Sequence, residues 1–255
     1  MSSKTQFKPS ELDEFKNNGF VIVRSLFNKE EMMYVKNQAL NLLNEKPKLG
    51  REMVYLEESI KNPGIKQVSR IENFLPYNDE LNKLFNEGRM MACLNELFGE
   101  TAVLFKDKIN YKQPGEGVAA PHQDIQSNWL DFADFYISVQ VCIDENTTEN
   151  GCLQVCSGFN KQGLIGKRWE PLTEEQMKDM KFIDFTGKPG DCIFFDCYTP
   201  HKSSSNMSSK PRNNLYLTYN PLSQGDHREL YFSGKRIDFP PDNERKPGQN
   251  FKYRV

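Results

Sequence analysis

Apolar positions in the first hundred residues recur at helical spacing, and beyond Thr101 they alternate at strand spacing. Ser10 to Asn18 predicts a short amphipathic helix closed by Gly19, and the β-branched run Phe20 to Val23 predicts a strand directly after it. Asn28 followed by Glu31 has the form of a capping box. Met32, Val35, Leu40 and Leu43 then continue an apolar stripe to about Glu45. Residues 46–64 are rich in glycine, proline and charge and are expected to form an extended surface connection. Leu81, Leu84, Phe85, Met91, Leu94 and Leu97 predict one further helix from Asp79 to Phe98, with Gly99 as its stop.

After Thr101 the chain reads as strands between glycine, proline and asparagine turns. The clearest are Val103 to Tyr111, Phe135 to Ile143, Gly151 to Val155, Phe182 to Phe185, Asp191 to Phe195 and Asn214 to Tyr219. Helical insertions are expected near Asp131 and from Thr173 to Met180. Helices followed by many short strands predict a mainly β fold, an antiparallel sandwich or jelly roll flanked by N-terminal helices. The expectation is one domain over residues 1–255, with a helical part to about 100, a β core over about 101–220 and a tail over 221–255.

Composition narrows the function classes. A formal charge of −2 over 255 residues leaves no electrostatic footprint for nucleic acid or an anionic membrane. No apolar run approaches membrane-spanning length and no basic-then-apolar leader opens the chain, so a cytoplasmic protein is expected. The six cysteines form no Cys-x-x-Cys pair and sit mostly in apolar strand-like runs, which predicts buried free thiols.

Two of the three histidines carry the candidate chemistry. His122 and Asp124 are one residue apart, so on an extended segment both side chains face the same side and can reach one ion. A His-x-Asp pair alone also fits a surface turn whose aspartate caps a helix. His201, far along the chain, would supply a third ligand; two histidines and a carboxylate leave open positions that suit ferrous iron. Arg212 follows eleven residues later, beyond a polar turn, where a returning hairpin would set its planar fork near His201, able to take a carboxylate in bidentate fashion.

With Arg212 the chain resembles the iron(II)- and 2-oxoglutarate-dependent dioxygenases of the phytanoyl-CoA dioxygenase family. His122-Gln123-Asp124, Glu149-Asn150-Gly151-Cys152-Leu153, Pro189-Gly190-Asp191 and His201 to Ser203 through Arg212 stand in family order over roughly residues 10–220. The resemblance implies a double-stranded β-helix, Fe(2+) held by His122, Asp124 and His201, and dioxygen and 2-oxoglutarate as cosubstrates. It implies Arg212 and Ser203 at the distal carboxylate of 2-oxoglutarate, and basic pocket positions at Lys108 and Arg70. A related halogenase replaces the metal carboxylate with a small residue. This chain keeps Asp124, so hydroxylation coupled to release of succinate and carbon dioxide is implied.

Asn110, Gln126, Trp129 and Tyr136 are candidates for a small polar and aromatic substrate pocket. Gly225 to Arg228, Tyr231-Phe232 and Phe239 to Arg245 resemble a bacterial subgroup that hydroxylates small zwitterionic organophosphonates, next to phosphorus on 2-aminoethylphosphonate or its N-methylated relatives. An aromatic wall would suit an alkylammonium head, and basic side chains with asparagine or glutamine a phosphonate. His227 reads as a tail or surface residue. Residues 46–64 and 158–170 are the connections long enough to close over a site. Other readings are a hydroxylase of another amino-acid-like or quaternary-amine metabolite, and a non-catalytic ligand-binding β-sandwich.

Overall fold

The computed structural model describes residues 6–246 and residue 248. Helix α1 (Pro9–Asn18) ends on Gly19, and strand β1 (Phe20–Val23) follows at once. Helix α2 (Lys29–Asn44) starts from the expected capping box: the Asn28 side chain accepts from the Glu31 N–H, and Glu31 accepts in return from the Asn28 N–H. Strands β2 (Met53–Glu58) and β3 (Lys66–Glu72) precede helices α3 (Asp79–Asn86) and α4 (Gly88–Phe98). Then come β4 (Ala102–Lys112), β5 (Ala119–His122), β6 (Ile137–Cys142), β7 (Leu153–Cys156), α5 (Glu174–Met177), β8 (Phe182–Phe185), β9 (Cys192–Asp196), β10 (His201–Ser203), β11 (Arg212–Pro221) and α6 (Arg228–Asp238).

Two antiparallel sheets result, with strand orders β1-β9-β6-β11-β4-β3-β2 and β5-β10-β7-β8. This is the jelly-roll, double-stranded β-helix arrangement. Period-2 alternation divides the large sheet between two environments. Ile109 and Tyr111 of β4, Val139 and Val141 of β6, and Leu215 and Leu217 of β11 join one core with Met32, Val35, Phe85 and Leu94 of the helices. Each such side chain, fully buried, contributes about 1.5–3 kcal/mol. Tyr111 and Tyr219 extend across this interface and donate to the carbonyls of Ala39 and Phe85. The alternate residues of β4 (Lys106, Lys108, Asn110 and Lys112) face the interior between the sheets, where all four line a cavity.

Three features depart from the sequence expectation. Residues 46–64 are not only a surface connection, because Met53–Glu58 pairs with β3 and Met53, Val54 and Tyr55 are buried. The apolar run Met53-Val54-Tyr55-Leu56 is short and flanked by charge, which hides the strand in the sequence. The helix expected from Asp79 to Phe98 is two helices, broken where Glu87 is extended and Gly88 has φ +68°, a backbone state that favours glycine. The C-terminal segment is no loose tail: α6 packs Tyr231 and Phe232 into a second core with Phe105, Trp129 and Tyr136. The remainder of the expected tail, residues 247 and 249–255, lies outside the described residues. All six cysteines are free and buried, as expected. Among the described residues no helix is long and apolar enough to cross a membrane.

Phe105 is the keystone of that second core. It occupies a register shift, with Lys106 opposite Thr218 but Leu104 opposite Tyr219, so it is the extra residue of a bulge and turns inward. It is fully buried, its ring 4.4 Å from that of Tyr231 and 4.8 Å from that of Tyr136. Phe105→Ala is expected to lower unfolding free energy by about 3–5 kcal/mol in urea titration; a loss under about 1 kcal/mol would mean α6 is not docked on this core.

Candidate active site

β5 and β10 pair antiparallel with His122 directly opposite His201. Both imidazoles are oriented from behind: Nδ1 of His122 lies 2.7 Å from the Ala120 carbonyl, and Nδ1 of His201 lies 2.9 Å from the Thr199 carbonyl. A carbonyl only accepts, so each Nδ1 carries the proton and each Nε2 keeps its lone pair. The Nε2 atoms of His122 and His201 sit 3.9 and 3.7 Å from Oδ1 of Asp124, and one ligand atom from each residue lies within 4.8 Å of the others. That is a face of three donors around one point, open on the far side, which fits a mononuclear divalent metal.

The states of these groups agree with that fit. Burial, and then His201, push the His122 imidazole well below its ordinary value. Burial works to raise Asp124, but His201, His122 and the Ser138 hydroxyl outweigh it and hold the carboxyl below its usual range. Ser138 donates to Asp124 Oδ2 at 2.7 Å, leaving Oδ1 for the shared centre. The turn into His201 is held by Asp196, whose carboxylate accepts from the Tyr198 N–H and the Thr199 hydroxyl. Gln123, between the two ligands, points away and clamps the backbone of 163, 165 and 198.

The triad opens into a cavity of about 1340 Å³. At one end Arg212 is fixed by three acceptors, the carbonyls of Asn150 (3.1 Å) and Gly151 (2.9 Å) and the Asn146 side chain (3.3 Å). Lys112 lies opposite Arg212 in the β4–β11 register, and its ammonium donates to Ser203 Oγ (2.8 Å) and to the carbonyls of Gly151 and Ser204. Burial, with Arg212 beside it, pushes Lys112 down to about 6. Gly151 permits this approach. Its φ is +68°, and a Cβ there would lie 2.2 Å from the Ser204 carbonyl oxygen.

A second basic group lines the other end. Arg70 (3.1 Å), Lys106 (3.8 Å) and Lys235 all pair with Glu72, which is completely buried. Burial would raise Glu72, yet Lys106, Lys235 and Arg70 hold it well below the usual carboxylate range. Lys108 lies between the two ends, pushed by burial and Lys106 down to about 8, with its ammonium 5.0 Å from the Tyr216 ring centroid.

The cavity wall thus includes His122, Asp124, His201, Arg212, Ser203 and Lys108, and also Arg70, Asn110 and Trp129. Arg70 turns toward Glu72 and Tyr55, not toward Arg212. Two expected substrate contacts lie elsewhere. Gln126 is fully buried behind the wall, its amide spent on the carbonyls of Lys167 and Glu170 and the N–H of Gln123. Tyr136 is also fully buried, its hydroxyl donating to the Trp129 carbonyl. His227 is outside the site, with Nε2 2.6 Å from the Gln224 carbonyl. Among the rings that line the cavity, those of Trp129 and Tyr231 have Lys106 5.8 Å from their centroids, and Trp169 is 38% exposed. Lys112, Ser138, Lys106 and Lys235 were missed. The signal for two of them was the alternation Lys106, Lys108, Asn110, Lys112 along β4.

A double-stranded β-helix with a facial His-Asp-His triad in its mouth defines a class, the non-haem oxygenases, and comparison with known proteins narrows it. EctD from S. alaskensis, crystallised with 2-oxoglutarate and 5-hydroxyectoine, superposes with a TM-score of 0.72 at 23% identity, covering 86% of this chain and 77% of that one. The non-haem epimerase SnoN from nogalamycin biosynthesis gives 0.68 at 17% identity, covering 96% and 91%. These likenesses establish the shared fold. The phytanoyl-CoA dioxygenase (PhyH) profile matches residues 15–214, and the chain belongs to that family of dioxygenases. A 2-aminoethylphosphonate dioxygenase from Uncultured bacterium HF130_AEPn_1 is 33% identical over 249 residues, 96% of this chain and 94% of the relative. A methylphosphonate hydroxylase from Gimesia maris is 31% identical over 236 residues, 92% and 89%.

If the triad holds the metal, Asp124→Ala abolishes stoichiometric ferrous binding in anaerobic equilibrium dialysis. Ser138→Ala, which removes only the hydroxyl behind Asp124, weakens it by about 10–100-fold. Undiminished binding in Asp124→Ala would place the metal elsewhere.

Proposed function

We propose that this chain hydroxylates a small organophosphonate at the carbon next to phosphorus, consuming 2-oxoglutarate and dioxygen at a ferrous ion held by His122, Asp124 and His201. The observation that carries the reading is a single cavity that joins the triad to Arg212 at one end and to a separate group of cations at the other. Two anions can therefore be held at once, one at each group of cations. The two phosphonate-acting relatives, aligned over most of their length, support the substrate class. Bound iron would supply the redox chemistry that couples decarboxylation of 2-oxoglutarate to attack on a C–H bond.

The chain's own residues have distinct tasks. His122 and His201 offer Nε2 because backbone carbonyls hold Nδ1 protonated. Arg212, with Ser203 and Lys112, receives the distal carboxylate of 2-oxoglutarate, the guanidinium plane already set by the carbonyls behind it. The reading is an alkyl- or aminoalkylphosphonate, 2-aminoethylphosphonate or an N-methylated relative among them.

The test is a substrate panel. Iron-loaded protein is given 2-oxoglutarate, oxygen and in turn methylphosphonate, 2-aminoethylphosphonate, its N-trimethyl derivative and ectoine, with succinate and phosphorus NMR as readouts. The first two are expected to give coupled succinate and a hydroxylated phosphonate. Efficient turnover of ectoine, with no phosphonate consumed, would overturn the reading.

Lys112 adds a pH signature. Burial, with Arg212 beside it, pushes it from 10.5 down to about 6, so above about 6 it is mostly neutral and must regain a proton to meet a carboxylate. Affinity for 2-oxoglutarate is therefore expected to fall as pH rises above about 6, with net proton uptake seen by calorimetry in buffers of different ionisation enthalpy. In Lys112→Met the uptake disappears and binding near pH 6 weakens by about tenfold, the scale of one charge-assisted hydrogen bond. Unchanged proton uptake in the variant would remove Lys112 from this role.

A further inference from the structure

Trp169 stands apart from the other aromatic residues of the cavity. Trp129 and Tyr231 are buried in the second core, with Lys106 near both rings. Trp169 lines the cavity from a more open position, and among the described residues no ring stacks on its indole and no cation lies over it. Its backbone is also unusual: φ is +63°, a left-handed state that bulky side chains seldom adopt. Ser25 and Asn73 are the other described non-glycine residues with positive φ, and neither lines the cavity. Such a conformation persists only where the surroundings over-determine it, and at a cavity wall it points to function.

Those surroundings are the segment that carries the metal-site residues. The Trp169 N–H donates to the Gln126 carbonyl at 2.8 Å, and Gln126 Nε2 donates to the carbonyls of Lys167 (2.8 Å) and Glu170 (2.6 Å), on either side of Trp169. The Leu172 N–H donates to the Pro121 carbonyl, and the Ile165 N–H to Gln123 Oε1. Gly166 permits the approach, since a Cβ there would lie 2.3 Å from Gln126 Nε2. Residues 163–172 are therefore bonded along their length to residues 121–126, which include His122 and Asp124, and Trp169 is held in register with the triad. Its charged neighbours have partners of their own: Arg168 pairs with Asp131 at 2.8 Å, and Glu170 lies 4.0 Å from Lys167.

We infer that Trp169 is a specificity-determining residue whose indole face receives the ammonium group of a substrate held at its other end by the cavity's basic side chains. The inference rests on the phosphonate reading above for the anionic half of the ligand, and its test separates the two. Indole attracts a cation more strongly than the other side-chain rings do, through the negative charge on its face. An ammonium group leaving water needs such a partner, whereas a neutral alkyl group of the same length gains only apolar contact. Trp169 therefore favours an aminoalkylphosphonate, N-methylated or not, over an alkylphosphonate.

The experiment is calorimetry on the full chain loaded with ferrous iron and 2-oxoglutarate without oxygen. The ligands are 2-aminoethylphosphonate, its neutral-tailed isostere propylphosphonate, and choline, a quaternary cation without phosphorus. Trp169→Leu keeps an apolar side chain at the same backbone position. It is expected to weaken 2-aminoethylphosphonate binding by about tenfold and propylphosphonate binding by no more than about twofold, with Trp169→Phe between. Affinity for 2-oxoglutarate, which reports an intact site, stays within about twofold in both variants. Replacing both tryptophans of the chain with 5-fluorotryptophan keeps the ring's shape and withdraws charge from its face. This is expected to weaken amine binding by about twofold, and to have no effect on it in Trp169→Leu.

Equal weakening of the two phosphonates in Trp169→Leu makes the indole an apolar wall only and overturns the assignment, as does amine binding untouched by the substitution; either result leaves the phosphonate reading in place. If Trp169→Leu also loses 2-oxoglutarate, the fluorinated chain decides. Amine binding weakened by fluorine while propylphosphonate binding holds sustains the assignment, and amine binding unaltered by fluorine overturns it. Choline bound, and lost in Trp169→Leu, with no phosphonate bound, leaves the ammonium subsite standing and removes the phosphonate reading. Failure of all three ligands to bind removes both.

Discussion

Positive charge held between two sheets is the constraint on which the structure turns. β4 must bury one face against helices, and Ile109 and Tyr111 supply it; alternation then commits Lys106, Lys108, Asn110 and Lys112 to the interior. A lysine in such a place costs several kcal/mol unless its charge is met or lost. Three solutions operate along one strand. Lys106 shares Glu72, Lys112 is surrounded by Ser203 and two carbonyls and pushed toward neutrality, and Lys108 lies near Asp124, whose negative charge opposes the fall caused by burial. The cavity is therefore lined with basic side chains along this whole strand.

The triad stands against this wall because of strand pairing in the small sheet. β5 and β10 are only four and three residues long, yet their register places His122 opposite His201, and the rest of the site depends on that pairing. Ser138 on β6 reaches across to Asp124 and to Thr218 of β11, so the carboxylate in the turn just after β5 is fastened to the large sheet's interior face. Ligand geometry and the cation wall are consequently one rigid arrangement.

Much of this was legible in the sequence, and the limits have physical causes. The Asn28–Glu31 capping box, β1, the β9 and β11 strands and the free cysteines follow from local pattern. The triad and Arg212 were legible because their residue types and order are unusual together, although nothing local shows that β5 and β10 pair. β2 was read as a connection because charge flanks a short apolar run, and burial there comes from pairing with β3, a tertiary effect. The helix break at Gly88 was hidden by an apolar period that continues across it. Gln126 looked like a pocket residue because it follows Asp124 so closely. A tight turn sends its amide backward to the carbonyls of Lys167 and Glu170 instead.

The site also shows why substrate choice was harder to read than cofactor choice. Residues that would meet the metal and 2-oxoglutarate occur in ordered, compact motifs, since the chemistry they serve is shared across the family. Those at the opposite end come from β3, β4 and α6, and Glu72, Lys106 and Lys235 are separated by up to 163 positions along the chain. No spacing rule links them. What unites them is an ion-pair group that exists only after folding: Arg70, Lys106 and Lys235 around the buried Glu72, in a cavity whose wall also includes the triad.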